Sequence, residues 1–202
     1  ARNDWFVGTN KTNVVMLCKG RCNYEPEEFE PKYLYLIQGF MSQTLFGYSE
    51  NYSSLYEGNV IVVESEKSVL KLDSWGYNNV VALGSNSLSP AQAKLIMSLN
   101  PKSVTFMLDK SLKLQNTKTN IDMLKTFCVM RQIEIKFWDW TENITLDDKS
   151  APCDDTRDEF EYIYENDHNV DNFNEEIIRQ KVLEVSRLFD IEDILHHVEN
   201  CN

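Results

Sequence analysis

The segment Val60-Ile-Val-Val63 constrains the fold of this chain more than any other feature. Four consecutive β-branched residues fit a strand that is covered on both faces, as the strands of a parallel sheet are. Further strands are predicted after it, at residues 79–82, 104–108 and 133–137. Helical spacing of apolar residues predicts helices between these strands, at residues 66–75, 89–99 and 120–131. This alternation predicts an α/β fold in which helices flank a parallel sheet.

Two of the predicted strands end in a carboxylate. Glu64 directly follows residues 60–63, and Asp109 directly follows residues 104–108. The carboxyl ends of strands in an open parallel sheet meet at one edge, where ligands bind. A single acid after a strand is most often a helix cap or a solvated loop residue, but two acids at one edge suit a hard divalent cation. The pair therefore predicts a cation site.

The segments on either side differ from this pattern. Residues 1–58 are β-rich and irregular, with strands predicted at 14–17 and 32–37. The segments that follow are an acidic loop at 147–155, a helix at 156–165, a polar linker at 166–172 and amphipathic helices at 173–189 and 191–198. We therefore predict three regions, namely a β-rich segment at 1–58, an α/β domain at 59–165 and a C-terminal helical segment at 166–202.

The net charge of −12 is concentrated towards the C-terminal end. Residues 59–138 carry ten Lys and Arg against six Asp and Glu, whereas residues 139–202 carry five against nineteen. A phosphate-rich partner is repelled by the acidic end and tolerated by the central segment. The overall negative charge is therefore only a weak argument against nucleic acid binding.

Composition also bears on where the protein works. No run of about 18 apolar residues is present, which argues against a membrane span. Five cysteines, an odd number in a chain of 202 residues, argue against a disulfide framework. We therefore predict a cytoplasmic protein without a membrane partner. Because the chain begins at Ala1 and not at a Met, we also expect a fragment of a longer protein.

Several motifs resemble those of a known family. Val60-Ile-Val-Val-Glu64-Ser-Glu-Lys is similar to the first motif of the Toprim domain, and Phe106-Met-Leu-Asp109 is similar to the first half of its Asp-x-Asp motif. Leu83-Gly84-Ser85 resembles the Leu-Gly-Thr segment of DnaG-type bacterial and phage primases. Other segments that resemble these primases are Gly20-Arg21, Pro31-Lys32-Tyr33-Leu34, Leu45-Phe-Gly47 and Lys149-Ser-Ala-Pro152-Cys-Asp154. The upstream matches favour a primase over a topoisomerase or a nuclease.

This resemblance implies a Toprim-like fold and the catalytic core of a DNA primase, a nucleotidyltransferase that makes short RNA primers during DNA replication. It implies Mg²⁺ or Mn²⁺ as the cofactor. Glu64 and Asp109 are then the catalytic metal ligands, and Asp154 and Asp148 are further ligands. The implied partners are a single-stranded DNA template, ribonucleoside triphosphates and a replicative helicase.

Basic residues are candidates for nucleotide or template binding. The resemblance implies Arg21 and Lys32 for this role. Lys67 is a further candidate, because it lies on the helix that follows Glu64, one turn before Lys71. A solvent-facing position is the simpler expectation for Lys67.

Two departures from the family pattern bear on activity. Ser111 stands where the family usually has the second Asp of Asp-x-Asp, and Ser150 stands where the later loop usually has an Asp. A serine hydroxyl carries no charge, so the loss of two carboxylates weakens the attraction for a cation. Two alternatives to a primase therefore stay open: a degenerate, non-catalytic Toprim module that binds nucleic acid or protein, and a Toprim nuclease.

Overall fold

In a computed structural model of the protein, the structure describes residues 3–9, 15–110, 114–128, 133–138, 146–147 and 150–169. These residues form two β-sheets. The first contains β1 (Asn3–Thr9), β2 (Val15–Cys22) and β3 (Tyr33–Ile37), with β2 in the centre and all pairings antiparallel. The second contains β4 (Asn59–Val63), β5 (Val80–Ala82), β6 (Ser103–Phe106), β7 (Glu134–Phe137) and β8 (His168–Asn169).

The second sheet has the spatial order β5-β4-β6-β7-β8. Its first four strands are parallel, and β8 pairs antiparallel with β7 at the edge. The α-helices are α1 (Tyr52–Leu55), α2 (Glu66–Ser74), α3 (Pro90–Ser98), α4 (Leu114–Lys125) and α5 (Arg157–Glu165). Short 3-10 turns occur at Met41–Gln43 and Pro152–Asp154. The predicted α/β fold with a parallel sheet flanked by helices is confirmed.

The strand β4 separates two hydrophobic cores. Val60 and Val62 pack into the core that includes α3 and α4, whereas Ile61 and Val63 pack into the core that includes α2 and α5. All four side chains are fully buried. Successive side chains of a strand point to opposite faces, so an uninterrupted run of β-branched residues fills both cores.

Two helix starts follow directly from the local sequence. Ser65 caps α2 by accepting a hydrogen bond from the Ser68 N–H at 3.2 Å. Ser89 caps α3 in the same way, and the Gln92 side chain accepts a bond from the Ser89 N–H at 3.1 Å. Pro90 occupies the first position of α3, where a missing N–H costs nothing. These caps satisfy otherwise unpaired N–H groups and determine where both helices begin.

The helix predicted at residues 120–131 has the wrong bounds, because α4 begins at Leu114 and ends at Lys125. Its first turns are polar and show no apolar periodicity. Thr117 and Asn120 are nevertheless buried. The Asn120 amide accepts a hydrogen bond from the Leu88 N–H at 2.9 Å and donates one to the Asn86 carbonyl at 3.0 Å. These hydrogen bonds hold Asn120, and apolar spacing does not reveal the polar turns that precede it.

Two other local predictions need correction. β2 does not end near residue 17 but continues to Cys22, because β1 and β3 pair with it beyond the apolar residues. The polar linker predicted at 166–172 contains β8, whose two residues pair with Lys136 and Phe137 of β7. Backbone pairing with a neighbouring strand therefore extends regular structure into polar sequence.

Some predictions fall outside the described residues. These are the helices at 173–189 and 191–198, and with them most of the region at 166–202. The division into three regions stays a prediction. Within the described ranges, no helix combines the length and the apolar character that a membrane span needs.

Candidate acidic site at the carboxyl edge of the parallel sheet

Glu64 and Asp109 lie just beyond the carboxyl ends of β4 and β6. These two strands are parallel neighbours, and Val62 is in register with Phe106. The two acids therefore leave the sheet at the same edge. Both side chains are half-buried. Burial raises the pKa of Glu64, because it disfavours the charged form of a carboxyl group.

The pKa of Asp109 is raised to about 7, first by burial and then by repulsion from Glu64 and Asp154. A nearby negative charge makes ionisation of a carboxyl group harder. Such repulsion is screened over long distances in a solvated edge, so Asp109 lies near both Glu64 and Asp154. Near neutral pH, Asp109 is then only partly ionised.

Asp154 reaches this edge from a loop and not from a strand end. It ends the 3-10 turn Pro152–Asp154, and one of its carboxylate oxygens accepts a hydrogen bond from the Ala151 N–H at 2.9 Å. The Asp154 side chain is exposed. Ala151 and Cys153 are buried in the core that includes α2, so the turn is anchored by its apolar residues.

Lys110, the residue after Asp109, ties the same loop to the sheet edge. Its N–H donates to the Ser150 carbonyl at 2.9 Å, and its ammonium donates to the Leu146 carbonyl at 2.5 Å. The Ser150 N–H in turn donates to the Asp147 carbonyl at 3.0 Å. These two hydrogen bonds of the Ser150 backbone thus help to fix the conformation of the loop. The other predicted ligand of this loop, Asp148, lies outside the described residues, as does Ser111.

The chemistry of these side chains fits a hard divalent cation. Carboxylate oxygens are the ligands that Mg²⁺ and Mn²⁺ prefer, and a cation among three carboxylates offsets their mutual repulsion. In the part of the chain that the structure describes, no three acidic, His or Cys side chains are close enough to enclose a metal ion by themselves. Mg²⁺ commonly takes one or two carboxylates and completes its shell with water and substrate phosphates. The residues present therefore fit an open site of that kind.

The three basic residues predicted to bind nucleotide or template lie on two parts of the fold. Arg21 is half-buried on β2, and Lys32 is exposed just before β3. The Cys22 N–H donates to the Lys32 carbonyl at 3.0 Å, so the backbones of Arg21 and Lys32 lie near each other, although the cross-strand partner of Arg21 is Tyr33. Lys67 is exposed in the first turn of α2, in agreement with the expectation that it faces solvent.

The guanidinium of Arg21 has a donor suited to an anion. Its Nε is buried, and no described residue accepts a hydrogen bond from it. A buried donor without an acceptor is costly, because it has lost its bonds to water. An Arg with an unpaired N–H group suits a phosphate or carboxylate acceptor, because the planar guanidinium group can bind two oxygens of such an anion.

The sequence does not predict an ion pair that links β2 of the antiparallel sheet to the helix α2. Lys19 of β2 and Glu66 of α2 approach to 2.5 Å between Nζ and Oε1, and their side chains are 6% and 10% exposed. The Lys19 ammonium also lies over the Tyr33 ring, 5.0 Å from its centre. Alternation along β2 places Lys19 and Arg21 on the same face. The one signal of this contact in the sequence is Lys19 itself, a charged residue close to the apolar residues of β2.

Gly84 closes the edge next to Glu64. Its N–H donates to the Glu64 carbonyl at 2.9 Å, and its φ of +72° lies in the left-handed region that favours glycine. A Cβ at this position would lie 2.7 Å from the Met41 methyl group and 3.4 Å from Oε1 of Glu66. The left-handed φ therefore favours glycine here, whereas a shift of the flexible Met41 side chain would relieve the close contact.

No protein-family model and no curated protein sequence matches the chain. Solved structures of primases match it over most of its length. One is the Aquifex aeolicus primase with its zinc-binding and RNA polymerase domains, at 22% identity and a TM-score of 0.68, over 92% of this chain and 45% of that one. Another is the E. coli primase catalytic core, at 21% identity and a TM-score of 0.62, over 85% and 54%.

A third similar structure is a DnaG primase catalytic domain bound to single-stranded DNA. It matches at 18% identity with a TM-score of 0.68, over 85% of this chain and 53% of that one. The chain thus spans about half the length of the three structures. At these identities the similarity establishes the fold. The resemblance predicted from the motifs is confirmed at that level: this chain has the fold of the DnaG-type primase catalytic core.

Proposed function

We propose that this chain is a metal-dependent primase core, which synthesises short RNA primers on single-stranded DNA during replication. The observation that carries the proposal is the meeting of Glu64, Asp109 and Asp154 at the carboxyl edge of a sheet with the primase-core fold. The charges of Glu64 and Asp154 raise the pKa of Asp109, and such excess negative charge at one edge favours a divalent cation. The Toprim assignment belongs to the same proposal.

The proposed chemistry is nucleotidyl transfer assisted by Mg²⁺ or Mn²⁺. When bound, such a cation offsets the negative charge that develops on the transferred phosphate. Glu64 and Asp109 hold it from the strand ends, and Asp154 contributes from the loop, with Asp148 as a further ligand. The raised pKa of Asp109 means that binding a cation displaces a proton from this carboxyl group.

Arg21 and Lys32 are proposed to hold the phosphates of a ribonucleoside triphosphate or of the template. The buried Nε of Arg21 is the observation that favours this role, since a phosphate oxygen supplies the acceptor that no described residue supplies. Lys32 lies nearby in the backbone, where its carbonyl accepts a hydrogen bond from the Cys22 N–H. Lys67, exposed on α2, adds a positive charge to the helix that follows Glu64. Contacts from basic residues to phosphates position a nucleic acid backbone without reading its sequence.

The proposed partners follow from primer synthesis. They are a single-stranded DNA template, ribonucleoside triphosphates and a replicative helicase that exposes the template. One of the similar structures is a primase catalytic domain bound to single-stranded DNA. Because primers are needed where bacterial or phage DNA is replicated, we propose a cytoplasmic location.

The test is primer synthesis by the 202-residue chain, measured as incorporation of labelled ribonucleotides on a single-stranded DNA template with Mn²⁺ or Mg²⁺. The change Glu64→Gln removes a carboxylate charge from the site and is expected to abolish synthesis while the fold is retained. Glu165→Gln is the matched control, because Glu165 is exposed at the end of α5. Circular dichroism and thermal melting check the fold of both variants.

Calorimetry with Mn²⁺ separates the competing functions. Binding that is lost in Asp109→Asn and retained in Asp73→Asn, an exposed change on α2, supports a working acidic site. Absence of both binding and synthesis would favour a degenerate module in which Ser111 and Ser150 have replaced essential acids. Metal-dependent cleavage of DNA without nucleotides would favour a nuclease and would contradict the proposal.

A further inference from the structure

The loop that carries Asp154 is held by a residue that the proposed function does not use. Lys71 lies in the second half of α2, and its ammonium is directed at the backbone of the loop. Its Nζ donates to the Asp154 carbonyl at 3.0 Å and to the Asp155 carbonyl at 3.0 Å. A cation on the helix that follows Glu64 therefore bonds the main chain of the third acid.

The position of Lys71 is itself determined by packing. Its ammonium lies over the Trp75 ring, 5.1 Å from the centre, which is a favourable contact for a cation. Trp75 packs in turn against Phe160 of α5, with ring centres 5.9 Å apart. This packing restricts the conformations of the Lys71 side chain. Less conformational entropy is therefore lost when Lys71 forms its hydrogen bonds to the loop.

The same arrangement occurs at both strand ends. Glu64 is followed by the helix that carries Lys71, and Asp109 is followed directly by Lys110, which bonds the other end of the loop. Between the two attachment points, the Cys153 side chain is buried. The ammonium groups of Lys71 on α2 and of Lys110 beside Asp109 therefore hold the two ends of the loop. The buried Cys153 anchors the loop in the core between them.

We propose that Lys71 is a positioning residue for divalent cation binding, which keeps Asp154 beside Glu64 and Asp109. This inference rests on the proposed function, because it gives Asp154 a share in the cation site. Lys71 does not touch the cation and acts through the backbone of Asp154. Hydrogen bonds from an ionised donor are stronger than neutral ones, so two of them hold the turn against its tendency to open.

Three variants separate this role from a general effect on stability. Lys71→Met keeps an apolar stem over Trp75 and removes the ammonium, and Lys71→Arg keeps the positive charge. Lys94→Met is the matched control, because Lys94 also lies over an aromatic ring, that of Phe127 at 5.8 Å. Lys94 is on α3, which packs against the opposite face of the parallel sheet.

The first measurement needs neither metal nor activity. It is the rate at which iodoacetamide alkylates Cys153, determined by mass spectrometry of peptides from the folded chain, with the buried Cys22 as an internal reference. Burial slows this reaction and raises the pKa of the Cys153 thiol to about 11. Loss of the Lys71 charge by itself favours the less reactive thiol form of Cys153. Lys71→Met is nevertheless expected to increase the rate at Cys153 roughly tenfold, because two charge-assisted bonds no longer oppose opening of the loop. Lys71→Arg and Lys94→Met are expected to leave it near the rate of the unmodified chain.

The second measurement is Mn²⁺ affinity by calorimetry. Lys71→Met is expected to weaken binding about tenfold, the lower end of the effect of residues that orient metal ligands. In the Asp154→Asn background, the same change is expected to have no further effect, because Lys71 acts only through Asp154. Lys71→Arg is expected to restore the affinity, which a loss of packing alone would not explain.

The outcomes distinguish the two proposals. If the unmodified chain binds no Mn²⁺, the proposed function fails, and this inference fails with it. If the unmodified chain binds Mn²⁺ but Lys71→Met changes neither the Cys153 alkylation rate nor the affinity, the inference alone is overturned. It is also overturned if Lys71→Met weakens binding equally with and without Asp154.

Discussion

The carboxyl group of Asp109 is subject to two opposing demands. Burial and the charges of Glu64 and Asp154 favour its protonated form and raise its pKa to about 7, whereas a bound cation requires the ionised form. An Asp in the unfolded chain has a pKa of about 3.9. The folded state therefore keeps a proton on Asp109 over a pH range in which the unfolded chain has lost it.

We predict that Mn²⁺ affinity depends steeply on pH below about 7. In that range the cation must displace a proton from Asp109, so the affinity falls by about tenfold for each pH unit. Calorimetry between pH 5.5 and 8, in buffers of different ionisation enthalpy, measures both the affinity and the proton released. Asp109→Asn is expected to bind weakly and with a flatter pH profile; an unchanged slope in this variant would contradict the assignment.

The same pKa predicts how stability depends on pH without metal. For an acid whose pKa is higher in the folded state, the folded chain binds more protons between about pH 4 and 7. The contribution of Asp109 to stability is therefore present at low pH and is lost as the pH rises through about 7. Asp109→Asn, which cannot ionise, is expected to raise the melting temperature at pH 7.5 relative to the unmodified chain. The difference is expected to shrink at pH 5, where the exposed control Asp73→Asn should show no such trend.

At the scale of elements, one buried side chain joins α3 to several neighbouring segments by hydrogen bonds. The Gln92 amide nitrogen lies within hydrogen-bonding distance of three carbonyls, those of Met41 (3.1 Å), Thr44 (2.9 Å) and Leu83 (2.8 Å). Its oxygen accepts a bond from the Ser89 N–H. Gln92 is fully buried, so these bonds are not exchanged with water. This one amide joins the helix start, the 3-10 turn and the end of β5.

We predict that Gln92→Leu lowers the free energy of unfolding by about 3 kcal/mol, because it leaves buried carbonyls without a donor and removes half of the capping box. Urea unfolding followed by circular dichroism measures this loss. Gln43→Leu, an exposed change in the adjoining 3-10 turn, is expected to stay within about 0.5 kcal/mol of the unmodified chain. Equal losses in the two variants would contradict the role of Gln92.

At the scale of the whole molecule, a buried ion pair links the antiparallel sheet to α2, a helix that flanks the parallel sheet. Lys19 belongs to β2, and Glu66 belongs to the first turn of α2, where a carboxylate also interacts well with the helix dipole. Arg21, on the same face of β2, is thereby held at a defined place relative to Glu64. This ion pair, together with the edge-to-face contact of Phe6 with Phe46, therefore helps to orient Arg21.

We predict that Lys19→Met alone lowers the free energy of unfolding by about 3–5 kcal/mol, because it leaves the Glu66 charge buried and unpaired. Adding Glu66→Met is expected to recover most of this loss, since a buried pair replaced by apolar side chains is often close to neutral. A double-mutant cycle by urea unfolding tests this. Additive losses in the double variant would mean that the pair contributes little coupling.

Local sequence was sufficient for the elements with strong signals. The β-branched run of β4 and the Ser-Pro start of α3 require particular backbone geometries whatever surrounds them. It was not sufficient for the polar turns of α4 before Asn120, or for the bonds that hold Asn120 to Asn86 and Leu88. A polar residue that is satisfied by a distant backbone group looks the same in sequence as one that faces water.

The sequence by itself determined the α/β alternation and the meeting of Glu64 with Asp109. Burial patterns and the convergence of parallel strand ends follow from the order of residues along the chain. Only the tertiary structure decided how Asp154 joins them, why Lys19 is buried and what Lys71 does. These features are contacts between residues far apart, such as Lys71 and Asp154 at a separation of 83 positions. No periodicity or local motif encodes such a contact, because its energy depends on how separate elements pack and on which polar groups they enclose.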